Sequence, residues 1–299
     1  MAEQSPYPDY PFAPKTFDRG NGILLNYVDE GPRDAEPVLM VHGNPSWSYY
    51  WRHLVLGLRD SYRCIVPDHI GMGLSDKPDD SRYEYTLQSR VDDLDKLVTS
   101  LGLTGKITLA MHDWGGMIGF AWALRNPERI ARLVILNTSS FPLPKTKKLP
   151  WQIALGRMPL LGAVLIRGFN FFARGAADLG VLRPIPPASR RALLAPYDSW
   201  NHRRAVHRFV QDIPLRQTDA AAALVEQAEQ QLPGYRNRPV FIGWGLQDFV
   251  FDQDFLAKFV KDLPEATQKI YGDAGHYVLE DKHEELVPDQ HRGHPAAAR

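Results

Sequence analysis

Cysteine is almost absent from this chain: Cys64 is the only one in 299 residues. An intrachain disulfide is therefore excluded, and the strand-like setting Tyr62-Arg63-Cys64-Ile65-Val66 reads Cys64 as a small buried hydrophobe. Net charge is missing as well. The 35 Lys and Arg residues balance 35 Asp and Glu, which gives no electrostatic reason to expect nucleic acid or an anionic membrane as partner. Residues 1–10 show no basic segment leading into an apolar one, so no secretory signal is expected and the cytoplasm is the default location. No histidine cluster has metal-ligand spacing with a carboxylate, and no Lys-Ser/Thr helix start follows Gly71 and Gly73. Neither a metal, a phosphate cradle nor any other cofactor is expected. Arg157, Pro159 and Arg167 interrupt the most apolar stretch, which excludes a transmembrane helix there.

What is present is a hydrophobic content of 44%, enough for a sizeable core, and the balance of charge leads us to expect a neutral or weakly polar ligand. The chain is organised around Leu109-Ala110-Met111-His112-Asp113-Trp114-Gly115-Gly116. A strand pattern (Ile107, Leu109, Met111) turns abruptly there into a helical one (Ile118, Phe120, Ala121, Trp122, Leu124). That is the strand, sharp turn and helix of a nucleophile elbow, with Asp113 where serine more often stands. A carboxylate in a dry pocket can displace a leaving group from a saturated carbon and form an ester.

In chain order, a proline-rich lead-in (Pro6, Pro8, Pro11, Pro14) without a core of its own precedes an early antiparallel strand at Ile23–Val28. Val38–Val41 reads as a buried strand, followed at once by His42-Gly43-Asn44-Pro45. Alone, this is an ordinary turn with Asn44 as helix cap. In company with the elbow, Asn44 offers its amide and its backbone N–H to a developing anion. Trp47, Tyr49, Tyr50 and Trp51 read mostly as core, with Trp51 and Arg52 beginning a helix through Leu58, and His69 reads as structural. Leu87–Leu101 is an amphipathic helix, Lys106–Met111 the strand before Asp113, Gly115–Asn126 the helix after it, and Leu133–Leu136 another buried strand. Repeated β-then-α order implies a mainly parallel sheet with helices on both faces.

From Phe141 the pattern breaks into short, proline-punctuated helical pieces, and no strand of that kind returns before Val240. This is an inserted helical cap, over 141–214, between core segments 1–140 and 215–288. Its first half (Trp151 to Phe172) is very apolar, either as the cap's own core or as a lining for long alkyl chains. Asp248 then follows the strand Val240–Gly245, and His276 follows Lys269-Ile270-Tyr271. The order Asp113, Asp248, His276 is nucleophile, acid, histidine. In that division His276 takes a proton from water for attack on an Asp113 ester, while Asp248 fixes its tautomer. His42, His112, His202 and His207 lack such a context.

Three segments, His42 to Arg52, Pro67 to Pro78 and His112-Asp113-Trp114-Gly115, resemble the haloalkane dehalogenase family of α/β-hydrolases, with likeness from about Gly22 to Val287. The resemblance implies the α/β-hydrolase fold, an eight-stranded mainly parallel sheet with a helical cap, and N–H donors at Asn44 and Trp114 for a leaving group. Within the family the chain is most similar to the β-lactone decarboxylases of bacterial long-chain olefin biosynthesis. That implies cis-β-lactones with two alkyl chains as substrates, cis-alkenes and carbon dioxide as products, and assembly with other olefin-pathway enzymes as a further partnership. A haloalkane dehalogenase is the alternative, because it uses the same residues. An epoxide hydrolase looks for two cap tyrosines, and Tyr197 is the sole tyrosine from Phe141 to Pro214; a non-catalytic binding protein needs no such triad. After Pro288 the sequence lacks an apolar stripe, so the last helix is predicted to stop near Pro288, leaving 289–299 as a mobile tail and a thinly covered sheet edge open to a partner.

Overall fold

The computed structural model describes residues 5–144 and 146–292. Eight strands form one sheet: β1 (Lys15–Asp18), β2 (Leu24–Glu30), β3 (Pro37–Val41), β4 (Arg63–Pro67), β5 (Ile107–Asp113), β6 (Ile130–Thr138), β7 (Val240–Gly245) and β8 (Thr267–Tyr271). Their order across the sheet is β1-β2-β4-β3-β5-β6-β7-β8, with β2 antiparallel to both neighbours and every pairing from β4 to β8 parallel. Strands covered by helices on both faces must be apolar throughout, and every residue of β4 and β5 is buried. The order reverses at β3, which lies between β4 and β5. Open α/β sheets bind ligands at the carboxyl ends of strands beside such a reversal.

The helices are α1 (Arg52–Leu58), α2 (Leu87–Ser100) and α3 (Trp114–Arg125) before the insertion. Between β6 and β7 come α4 (Trp151–Arg157), α5 (Pro159–Ala163) with a π turn Val164–Gly168, α6 (Phe171–Leu179), α7 (Pro187–Leu194), α8 (Arg204–Gln211) and α9 (Ala222–Gln231). The last two are α10 (Gln253–Asp262) and α11 (Val278–Arg292). Helix α9 packs on α3, whereas α4, α5, α6 and α8 pack chiefly on one another and on the π turn.

Three expectations need correction. The four-residue strand β1 is invisible in a lead-in read only as extended, and that lead-in does feed the core: Tyr10 and Phe12 are buried, with Tyr10 against Trp47 and Tyr49. Helix α11 does not stop at Pro288 but runs to Arg292, with its one non-helical residue at Lys282 (φ −138°). A proline inside a helix removes one N–H and adopts helical φ itself, so the backbone can continue past it. Nor is that side of the sheet left open. Helix α11 packs on α1 and β7, and the buried Arg52 guanidinium donates to both oxygens of Glu280 at 2.6 and 2.8 Å. Residues 293–299 of the anticipated tail lie outside the described residues.

The insertion is tied to the core through Arg90 on α2. This fully buried guanidinium donates to Asp212 (2.8 Å) at the end of α8 and to the Tyr85 carbonyl (3.2 Å), and lies 3.6 Å from the Phe209 ring centre. Burial lowers the Arg90 pKa, and the facing Asp212 carboxylate opposes that shift. Arg90→Ala would strand Asp212 in a poorly solvated place, a loss of about 3–5 kcal/mol. Urea unfolding should show it, and a double Arg90→Ala, Asp212→Ala variant should recover part of the loss.

Candidate active site

Asp113 ends β5 and opens α3 with φ 53° and ψ −128°, a backbone conformation that costs a β-carbon residue about 1–3 kcal/mol and is kept where the surroundings enforce it. Two glycines make this approach sterically feasible. A Cβ on Gly115 would overlap the Val41 carbonyl, and one on Gly43 would overlap the Asp113 carboxylate itself. Thr138, at the end of β6, donates its hydroxyl to the Asp113 carbonyl and so fixes the elbow from the neighbouring strand.

The Asn44 backbone N–H donates to Asp113 Oδ1 at 2.6 Å, and the Trp114 backbone N–H also bonds the carboxylate. The Asn44 side chain does something the sequence did not disclose: its Nδ2 donates to the Val206 carbonyl of α8 at 3.1 Å. An amide nitrogen carries two N–H groups, so one remains for a ligand. Asn44 and Trp114 both line the cavity that Asp113 faces.

His276 lies between the two acids. Its Nδ1 meets Asp248 Oδ2 at 2.8 Å, and its Nε2 lies 3.6 Å from Asp113 Oδ2. The structure thus brings together Asp113, Asp248, His276, Asn44 and Trp114, drawn from four chain segments at or just after the ends of β3, β5, β7 and β8. Asp248 is held in turn: Asn137 Nδ2 donates to Oδ2 at 3.0 Å, and the N–H groups of Val250 and Phe251 donate to Oδ1 at 2.7 and 3.0 Å. The His276 loop is pinned by Asp281, which accepts from the Gly275 N–H at 2.8 Å and from the Leu182 N–H at 3.1 Å.

Sequence reasoning passed over Asn137 and His112. Asn137 has φ 29° and bonds the N–H and carbonyl of Gly245, tying β6 to β7 just below Asp248. Its only signal was an asparagine at a strand end. His112 donates from Nε2 to the His276 carbonyl at 2.8 Å and stacks on Tyr50; burial pushes its pKa well down, so it stays neutral. His69 is structural as expected, with Nε2 on the His42 carbonyl at 3.0 Å.

Burial raises the Asp113 pKa, and His276 with the two N–H donors restrains the rise. For His276, burial opposes the charge, but the Asp248 and Asp113 carboxylates outweigh it and the pKa is raised. The cavity around them is almost wholly apolar. Among its described lining the polar side chains are Asn44, Asp113, Gln152 and His276, with the indoles of Trp114 and Trp151; Ile153, Ile166, Phe172 and Phe251 are typical of the rest. Tyr197 is buried away from it, its hydroxyl directed at the Ser46 carbonyl, so it offers no acid to an epoxide oxygen.

The family model for the alpha/beta hydrolase fold matches residues 36–283. The chain is 60% identical to a cis-3-alkyl-4-alkyloxetan-2-one decarboxylase of Xanthomonas campestris pv. campestris, over 94% of this chain and 96% of that one. It is 53% identical to a protein of the same description from Shewanella oneidensis, over 89% and 84%. Identity to a haloalkane dehalogenase of Mycobacterium tuberculosis is 30%, over 91% of each chain. Among solved structures, an ancestral haloalkane dehalogenase superposes with TM-score 0.84 at 26% identity, over 93% of this chain and 97% of that one.

Proposed function

The chain belongs to the α/β-hydrolase family, and from its site we propose that it decarboxylates cis-3,4-dialkyl oxetan-2-ones, that is β-lactones, to cis-alkenes and carbon dioxide. The observation that carries this is a carboxylate nucleophile facing an apolar cavity in which, among the described residues, the only other ionisable side chain is His276. Residues 141–214 act as the cap that supplies much of that lining.

The chemistry follows from where Asp113 attacks. Addition at the lactone carbonyl would open the ring to an anhydride and leave the ring oxygen on C4, where it blocks alkene formation. Displacement at C4 instead breaks the C4–O bond, joins C4 to Asp113 as an alkyl ester and frees the substrate carboxylate. The C3–carboxylate bond then breaks, its electrons form the C3–C4 double bond, and Asp113 leaves as carboxylate. Atoms balance without water. Inversion at C4 followed by loss of the two groups from opposite faces returns the cis alkene.

Each residue then has a task. Fragmentation moves one negative charge from the substrate carboxylate, set among apolar lining, to Asp113, where the backbone N–H groups of Asn44 and Trp114 receive it, and that difference in solvation favours the step. Asn44 and Trp114 donate to the ring oxygen as charge builds on it. His276, whose charged form the two flanking acids favour, donates when protonated from Nε2 toward Asp113 Oδ2 and eases departure of the Asp113 carboxylate. The proton abstraction from water anticipated for His276 belongs to the hydrolytic alternative, in which a haloalkane forms the same kind of ester and water cleaves it.

Trp114→Phe retains an aromatic ring beside Phe209 and removes the indole N–H. It is expected to cost about 3 kcal/mol of transition-state stabilisation, or about 10²-fold in rate. An unchanged rate would leave the Asn44 amide as the sole side-chain donor. The function itself is tested by supplying a cis-dialkyl β-lactone and, separately, a long 1-bromoalkane. Cis-alkene by gas chromatography with little bromide is expected; rapid bromide release without alkene would make the protein a dehalogenase.

A further inference from the structure

The overall neutrality of the chain conceals a separation of charge. Segment 141–214 holds 12 Lys and Arg against 3 Asp and Glu, a formal +9, and the remaining residues hold 23 against 32, a formal −9. The expectation that charge offers nothing to an anionic membrane is true of the whole chain and not of this face.

The basic segment is also where apolar side chains reach solvent. Leu160 is 85% exposed, Phe169 66% and Trp151 64%, and Phe171 and Leu179 are exposed too. Such a patch on a folded chain marks a contact surface. It is continuous with the cavity, because Trp151, Phe171 and Leu179 are at once cavity lining and outer surface. Arg167, Arg174 and Arg203 stand around its tip. Arg203 donates to the carbonyls of Tyr197, Arg167 and Gly168, Arg167 lies 4.5 Å from the Trp200 ring centre, and among the described residues none of the three forms an ion pair with a carboxylate. No single helix among the described residues is long and apolar enough to cross a membrane. Pro159–Gly168 and Phe171–Leu179 are jointly apolar enough but bent by 65°, which suits helices lying in an interface.

We propose that this face docks on an anionic phospholipid surface. Phe169 and Leu160 enter the boundary between headgroups and acyl chains, the arginines meet lipid phosphates, and the cavity mouth opens toward the lipid, so an apolar ligand moves between bilayer and cavity without crossing water. A second copy is a poorer occupant: part of the segment's formal +9 is neutralised by Asp80, Asp219, Asp252 and Asp273 of the core, but a symmetric pairing would still set Arg167, Arg174 and Arg203 of one copy against the same arginines of the other.

Flotation of the full chain with vesicles tests this without any turnover, so it stands apart from the lactone reading. Binding to phosphatidylglycerol–phosphatidylcholine vesicles is expected to exceed binding to phosphatidylcholine alone by about tenfold or more, and to fall with salt. Arg174→Glu, and separately Leu160→Ser with Phe169→Ser, should each weaken binding by about tenfold. None of these residues lines the cavity, so turnover of a short-chain, detergent-dispersed lactone should be unchanged. Absence of flotation, equal binding to neutral vesicles, or binding unaffected by both variants would overturn the proposal. So would light scattering that shows a dimer which the same variants dissociate without any vesicle binding, since the face would then belong to a second copy.

Discussion

Asp113→Ala is expected to lower turnover by about 10⁴-fold or more, because it removes the atom that bonds to the substrate and no neighbour can take its place. The Asn44 N–H and the His276 ring address the Asp113 carboxylate, and neither offers a nucleophile aligned with the cavity. The loss should fall on the rate of the bound complex far more than on binding, since the alkyl-chain lining is untouched. Removing the buried carboxylate also removes a group whose pKa burial has raised, so the variant is expected to be at least as stable as the parent. Circular dichroism and thermal unfolding would establish that the inactive protein is folded. A variant with near-parental activity would contradict the account at its root.

His276→Ala is expected to separate the two chemical steps. Attack by Asp113 needs no proton transfer, whereas collapse of the ester loses the donor that stabilises the departing carboxylate, a role worth about 10²–10⁴-fold. A covalent adduct should therefore accumulate, seen by mass spectrometry as one intact lactone added to the peptide carrying Asp113. The pH dependence carries a sign that distinguishes the two chemistries. Attack needs ionised Asp113, whose pKa is raised, so activity falls as pH drops through that value. Fragmentation needs protonated His276, whose pKa is also raised, so the second step slows as pH climbs through it. Hydrolysis by a neutral His276 base would do the reverse and accelerate over that second range.

The sheet and the site differ in how far they could be read in advance. Buried parallel strands write themselves as apolar runs, and the elbow at Asp113 interrupts one such run with an unmistakable change of period; both are local patterns. The groups that orient the catalytic side chains are not local. Asn137 reaches Asp248 across 111 residues, and His112 reaches the His276 carbonyl across 164, each through one hydrogen bond from a side chain common in other settings. Strand β1 was missed because four residues alternating between half-buried and exposed carry too little hydrophobic signal. Helix α11 outran Pro288 because its apolar anchor lies earlier, at Leu279 and Leu286, so packing holds its first turns before the proline is met. The charge separation was legible all along, but only in a count made segment by segment.

The central claim is that the Asp113 ester breaks by fragmentation and not by water. Turnover of a cis-dialkyl β-lactone in H₂¹⁸O, with alkene counted alongside and the Asp113 peptide then weighed, tests this directly. Fragmentation returns both carboxylate oxygens to Asp113, so the account predicts many turnovers of cis-alkene and no gain of mass. Heavy oxygen accumulating in Asp113 in step with turnover would show that water cleaves the ester, and would contradict it.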